Sequence, residues 1–239
     1  MSAKPNEVTS PGGPGDPPSS TGDLLAARLR GFGPLGILAI LLILAGNFLF
    51  APLSAVLVLG WAWLSRTRWR EIGYVRPRNW VGSVVVGVVF GCAFKFWMKA
   101  LVMPLLGGPE INPAYHYLAG NTAALPGMIY TMIVVAGFGE ETVFRGWMFE
   151  RLGKLFGTSV WARTITVLLS SVLFGLAHYP GQGLAGAEQA LLTGLVFGTI
   201  FAITGRIFMV MIAHAAFDLL ALAIIYWNLE VEVAHLIFK

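Results

Sequence analysis

The sequence predicts an all-α fold, a polytopic membrane helical bundle of about seven transmembrane helices, and three observations support this prediction. Of the 239 residues, 56% are hydrophobic and only 12% are charged, whereas soluble domains carry about 25% charged residues. The mean hydropathy of the chain is +0.74. The apolar segments are continuous, whereas the strands of a transmembrane β-barrel would alternate apolar and polar residues.

Seven apolar segments are candidate membrane spans. They cover residues 32–50, 52–65, 80–106, 124–149, 162–179, 187–204 and 207–227. The second segment is the weakest candidate, because a helix needs ~20 residues to cross the hydrocarbon core. Small residues recur every fourth position at Gly87 and Gly91 and again at Gly194, Gly198 and Ala202, a spacing that allows two helices to approach closely.

The segments outside the spans predict the domain organisation and the orientation. Residues 1–30 are predicted to be a disordered cytoplasmic tail, since they begin with a stretch rich in Pro, Gly and Ser that lacks aromatic residues. A membrane domain covers 31–228, and 229–239 form a short C-terminal tail. Five arginines lie within 66–79 but no Lys or Arg lies within 107–123, so the N-terminus is expected in the cytoplasm and the C-terminus outside. The net charge of +4 therefore reflects membrane orientation and not binding of nucleic acid.

Ionisable side chains inside the apolar spans mark the candidate site, because a carboxylate at bilayer depth costs roughly 2.5–3.5 kcal/mol on insertion scales. The set comprises Glu140, Glu141, Arg145, His178, His214 and Asp218. Arg145 follows Glu141 by one helical turn, so these two are predicted to form a supporting ion pair. Glu140 has no partner in its own segment and is suited to act as a general acid or base. The structural alternative is a protonated carboxyl bonded to a backbone carbonyl.

Two chemistries fit these residues. In the first, Glu140 and His178 activate a water, and groups on the last span stabilise the oxyanion of a tetrahedral intermediate. In the second, the histidines and a carboxylate bind Zn²⁺, which lowers the pKa of a bound water to about 7. The possible metal ligands are Glu140, His178, His214 and Asp218. The contiguous zinc-protease signature His-Glu-x-x-His is absent, and the residues alone leave both chemistries open.

Three motifs occur in order along the chain: Glu140-Glu141-Thr-Val-Phe-Arg145, Phe174-Gly-Leu-Ala-His178 and His214-Ala-Ala-Phe-Asp218. They resemble the EExxxR, FxxxH and HxxxN/D motifs of the CPBP family of intramembrane proteases. This family comprises the type II CAAX prenyl endopeptidases and the bacterial bacteriocin-processing and self-immunity (Abi) proteins. The resemblance covers about residues 70–225 and implies that 31–228 form a CPBP-like protease domain.

The resemblance implies hydrolysis of a peptide bond in or near the cell membrane. The implied roles are water activation by Glu140 and His178, oxyanion stabilisation by His214 and Asp218, and structural support by Glu141 and Arg145. Family members are described both as metalloproteases and as metal-independent glutamate proteases, so no cofactor is certain and Zn²⁺ remains the alternative. Prenyl endopeptidases carry Asn at the position of Asp218. An ionised carboxylate cannot donate a hydrogen bond, so Asp218 must be protonated, orient His214 or bind a metal.

The expected partners are the lipid bilayer and a substrate that is a hydrophobic peptide or the membrane-proximal segment of a protein, with no role for nucleic acid. A CAAX-type substrate would rest on the resemblance alone. Two other functions are compatible with the same residues. One is a non-catalytic membrane adaptor or immunity protein that uses the same pocket. The other is a proton-coupled transporter, since buried Glu and His form proton relays, although the chain shows no internal repeat of its spans.

Overall fold

The structure is a computed structural model that describes residues 20–50 and 52–238, and every regular element within them is helical. The helices are α1 (Thr21–Arg30), α2 (Pro34–Leu49), α3 (Leu53–Leu64), α4 (Trp80–Leu105), α5 (Thr122–Phe156), α6 (Val160–Thr204), α7 (Ile207–Tyr226) and α8 (Glu230–Ala234). Over the described residues, the prediction of an all-α fold is confirmed.

Four of the described helices, α4 to α7, are long and apolar enough to cross a membrane, and α1 with α2 forms a fifth candidate bent by 60°. These helices mark a multi-pass membrane protein. The predicted number of seven spans is not confirmed. The segment 52–65 yields only α3, whose 12 residues are fewer than the ~20 that cross a bilayer. The orientation inferred from the arginines stays a prediction.

The long helix α6 contains the predicted segments 162–179 and 187–204, and the chain reverses between them. Gly183 has φ 67° and ψ −164°, a backbone conformation that favours glycine. Beyond this reversal, a Cβ added at Gly194 would lie 2.9 Å from the Cα of Ser171. The two arms of α6 therefore pack side by side as a helical hairpin, and each arm corresponds to one predicted segment.

The prediction that residues 1–30 are disordered is wrong for the last ten of them, because residues 21–30 form α1. The hydroxyl oxygen of Ser20 caps this helix by accepting a hydrogen bond of 3.2 Å from the backbone N–H of Asp23, which stabilises a helix N-terminus. The helix is also fixed from its other end, since Trp61 Nε1 donates to the carbonyl of Leu29 at 3.1 Å. Residues 1–19 lie outside the described part of the chain, and their disorder stays a prediction.

Helix α5 carries the paired glutamates, and its backbone near them is π-helical, which is wider than an α-helix. The segments Thr131–Glu140 and Thr142–Trp147 are π-helical, a geometry found frequently at functional sites. At the start of the second segment the hydroxyl of Thr142 donates to the carbonyl of Phe138 at 2.7 Å, so Tyr74 must donate to Thr142 across their 2.7 Å contact. Burial raises the pKa of Tyr74 to about 12, and the phenol therefore keeps the proton that this contact needs.

Helix α7 lies at the centre of the bundle, and glycines on its neighbours allow a close approach. A Cβ added at Gly91 of α4 would overlap the carbonyl oxygen of Ala213, the residue before His214. A Cβ added at Gly137 of α5 would lie 2.9 Å from the Cβ of Ala215. The packing role predicted for the glycines of the third apolar segment is thereby confirmed at Gly91.

We expect Gly91→Ala to destabilise the protein by about 1–3 kcal/mol, because the added methyl group must displace α4 from α7. The matched control is Gly127→Ala, since a Cβ there meets no atom within 4 Å and alanine favours a helix over glycine by roughly 0.5–1 kcal/mol. Melting temperatures in detergent should therefore fall for the first variant and stay level or rise for the second. Equal melting temperatures would contradict close packing at Gly91.

Candidate active site

Four residues that the sequence analysis proposed as catalytic lie around one cavity, although they come from three helices. Glu140 lies on α5, His178 on the first arm of α6, and His214 and Asp218 on α7. The Oε2 atom of Glu140 lies 4.0 Å from His178 Nε2 and 3.9 Å from His214 Nε2. The Oδ2 atom of Asp218 lies 3.6 Å from His214 Nε2. All four side chains line a cavity of about 130 Å³.

The ring of His178 is fixed by its own helix. Its Nδ1 lies 2.8 Å from the carbonyl oxygen of Phe174, one turn earlier. A carbonyl oxygen only accepts hydrogen bonds, so Nδ1 carries the proton and a neutral ring presents a lone pair at Nε2. The Phe174 side chain packs against the imidazole with 4.5 Å between ring centroids. The FxxxH spacing therefore serves two purposes, since Phe174 supplies both the carbonyl and the ring that orient His178 toward Glu140.

Glu141 holds the other histidine. Its Oε1 lies 2.7 Å from His214 Nδ1 and 2.9 Å from Arg145 Nη1. The predicted ion pair between Glu141 and Arg145 is thus present, and it is almost completely buried, with side-chain exposures of 0% and 1%. The carboxylate that orients His214 through Nδ1 is Glu141, whereas Asp218 faces the other ring nitrogen. Glu141 therefore links the buried guanidinium to the ring that reaches the cavity.

Arg145 completes this buried layer behind the cavity. Its guanidinium carbon lies 4.5 Å from the ring centroid of Phe174 and 5.8 Å from that of Phe197, a geometry typical of cation–π contacts. The Phe174 ring thereby contacts both Arg145 and His178. Packing on two aromatic faces and pairing with Glu141 compensate a charge that would be costly at this depth.

The carboxylate of Glu140 has an unsatisfied oxygen that faces the cavity. Its Oε2 is buried and has no hydrogen-bond partner among the described residues, although it lies between two imidazole nitrogens. Buried polar atoms are nearly always hydrogen-bonded to protein or to water. A separation of 4.0 Å between two acceptor atoms is also one that a water can bridge. The geometry therefore favours a water or a polar substrate group between Glu140 and the histidines.

The same distances bear on the zinc alternative. Across residues 20–50 and 52–238, no three His, Cys, Asp or Glu side chains are arranged to hold a metal ion. Zinc ligands lie about 2.0–2.1 Å from the metal, which places neighbouring ligand atoms within roughly 3.5 Å of one another. Glu140 Oε2 is farther than this from both histidines. These side chains therefore stand farther apart than the ligands of a zinc ion would, and no chemical step below is routed through a metal.

The cavity also contains polar residues to which the sequence analysis gave no role. Lys95 of α4 donates to Gln189 Oε1 at 3.0 Å, and Gln182 Nε2 donates to the hydroxyl of Tyr115 at 3.2 Å. Burial raises the pKa of Tyr115, which lies outside the spanning helices. Two signals were present in the sequence, since Lys95 interrupts the apolar segment 80–106 and Gln189 interrupts the segment 187–204. Tyr115 and Gln182 lay in predicted loops and carried no such signal.

A family profile matches the part of the chain that supplies most residues of this cavity. The family profile described as type II CAAX prenyl endopeptidase, Rce1-like, matches residues 122–220. That region runs from the start of α5 into α7 and includes all three motifs, although it is less than half of the chain. No curated protein and no solved structure shows a significant match to the chain.

Proposed function

We propose that the chain is a member of the Rce1-like type II CAAX prenyl endopeptidases, whose profile matches residues 122–220, and that it hydrolyses a peptide bond of a hydrophobic or membrane-proximal substrate at the cell membrane. One observation above all supports the proposal. The buried Oε2 of Glu140 has no hydrogen-bond partner among the described residues, and it faces the Nε2 atoms of two histidines whose Nδ1 atoms are already held.

Water activation is assigned to Glu140 and His178. A water that bridges their 4.0 Å gap would donate one hydrogen bond to the carboxylate and one to the lone pair of His178 Nε2. As its oxygen attacks the scissile carbonyl, the ionised Glu140 accepts its proton. Glu140 then transfers that proton to the leaving nitrogen when the C–N bond breaks. One carboxylate thus serves as general base and then as general acid.

Oxyanion stabilisation is assigned to the opposite side of the cavity. His214, which is 4% exposed, donates Nδ1–H to Glu141, and an imidazolium form would present Nε2–H to the carbonyl oxygen as charge develops there. Asp218 contributes a second donor when it is protonated. Glu141 and Arg145 act as positioning residues, because they reach the cavity only through His214.

The test is cleavage of a pooled library of hydrophobic peptides by the full-length protein in detergent micelles, with products identified by mass spectrometry. We expect defined internal cleavage sites, with new carboxyl and amino termini. Parallel reactions with a zinc chelator, and with zinc added back, test the metal alternative directly. Loss of cleavage with the chelator and its recovery with zinc would contradict the water activation proposed above. A complete absence of products would contradict the endopeptidase.

A further inference from the structure

One buried cation in the wall of the cavity has no part in the proposed hydrolysis. Lys95 on α4 is only 7% exposed. Its ammonium donates to Gln189 Oε1 at 3.0 Å and lies 4.8 Å from the ring centroid of Phe217. An ammonium group has three N–H donors, and these two contacts do not use all of them.

Among the described residues, Lys95 has no counterion of the kind that a buried charge normally has. No carboxylate oxygen of the described residues lies within 4.0 Å of its Nζ. The acidic groups with an electrostatic influence on it are Asp218 and Glu230. Asp218 faces His214 at 3.6 Å, and Glu230 is bonded to His116 at 2.9 Å. Ionisable residues at membrane depth usually pair with each other or bind a ligand, and the acidic groups around Lys95 already have other partners.

A second, smaller chamber adjoins the active-site cavity at this lysine. Its volume is about 60 Å³, and Lys95, Gln182 and Gln189 line both spaces. Lys99, one helical turn beyond Lys95, also lines the smaller chamber and is half-buried, with its Nζ donating to the carbonyl of Glu110. Glu230 lines the chamber as well, but its carboxylate is paired with His116 at 2.9 Å. Two ammonium groups therefore border this chamber beside the groups that would cleave the peptide.

We propose that Lys95 and Lys99 form an anion subsite that binds a carboxylate of the substrate peptide, an inference that rests on the proposed endopeptidase function. A carboxylate in the chamber would complete the hydrogen bonds of Lys95 and neutralise its charge. Charge-assisted hydrogen bonds of this kind are roughly twice as strong as neutral ones. The carboxylate comes either from the C-terminus of the peptide or from an Asp or Glu side chain. Either source would place one substrate group at a fixed distance from the reacting carbonyl.

The test uses a peptide that the wild-type protein cleaves, synthesised in matched forms. The first has a free C-terminal carboxylate, the second a C-terminal amide, and the third has each Asp and Glu replaced by Asn and Gln. We expect one neutralised form to show a KM roughly tenfold higher or more, with a much smaller change in kcat. The amide identifies the chain terminus as the source, and the third form identifies a side chain.

Variants then assign the effect to the lysine. In Lys95→Met, which keeps the length of the side chain without the charge, all peptide forms should bind as weakly as the neutralised one. Lys95→Arg should restore the preference. The control is Lys154→Met, because Lys154 pairs with Glu150 and lines neither chamber. This variant should discriminate between the charged and neutralised peptides as the wild type does. If Lys95→Met fails to fold, the comparison of peptide forms on the wild type still decides whether an anion subsite exists, and Lys99→Met, which removes the other ammonium group of the chamber, tests the assignment to these lysines.

The outcomes separate the two proposals. Cleavage with equal KM for all peptide forms would overturn the anion subsite and leave the endopeptidase intact. Discrimination that persists in folded Lys95→Met would also overturn the assignment to this residue. Absence of any cleavage would contradict the endopeptidase itself, and the subsite would fall with it.

Discussion

Replacement of Glu140 by Gln is expected to abolish peptide hydrolysis and leave the protein folded. Glutamine keeps the size of the side chain and can still hydrogen-bond to a water, but it cannot take up the proton of that water. Loss of a positioned general base lowers rates by about 10²–10⁴. The site tolerates the change structurally, because Glu140 Oε2 has no hydrogen-bond partner among the described residues that the substitution would remove.

The measurement is the initial rate of peptide cleavage per folded molecule, with folding checked by gel filtration and thermal melting. Glu188→Gln is the matched control. It makes the same substitution on α6 at a residue that does not line the cavity, and it should keep the wild-type rate. Cleavage by Glu140→Gln within a few-fold of the wild type would remove Glu140 from the mechanism. The non-catalytic adaptor would instead be favoured if the wild type cleaved no peptide and peptide binding were unchanged in Glu140→Gln.

The sequence identified the helices through their composition and the site through the cost of buried charge. Glu140, His178 and His214 could be singled out because each is a polar side chain inside an apolar segment, where only pairing or function compensates its burial. The reversal within α6 was also predictable, because Gly183 lies in a run of Pro and Gly between two apolar segments. These features depend on local sequence, and local sequence was sufficient for them.

Features that depend on contacts between distant residues were not predictable. Glu141 contacts one ring nitrogen of His214 and Asp218 faces the other. The packing of α5 against α7 decides this arrangement, and the sequence does not show that packing because Glu141 precedes His214 by 73 residues. The contact between Lys95 and Gln189 spans 94 residues. The helix of residues 21–30 was missed for a different reason, since the Pro- and Gly-rich stretch before it dominated the composition of the predicted tail and obscured the N-cap at Ser20.

Breaking the buried pair of Glu141 and Arg145 from one side should be more damaging than removing both charges. We expect Glu141→Gln to destabilise the protein by about 3–5 kcal/mol, because it leaves the guanidinium of Arg145 buried without its counterion. The double variant Glu141→Gln/Arg145→Met removes both charges, and much of the lost stability should return. The melting temperatures of the wild type, the single variant and the double variant in detergent measure this difference in stability.

Activity should not return with stability in the double variant. Glutamine at 141 can still accept a hydrogen bond from His214 Nδ1, but it carries no negative charge to stabilise the imidazolium that the oxyanion requires. The control is Glu150→Gln, since Glu150 belongs to another buried ion pair, with Arg151, and does not line the cavity. That variant should lose stability and keep its cleavage rate per folded molecule. If the double variant were as active as the wild type, Glu141 would be a purely structural partner of Arg145. Full loss of activity in a stable protein would show instead that the ion pair acts on the reaction through His214.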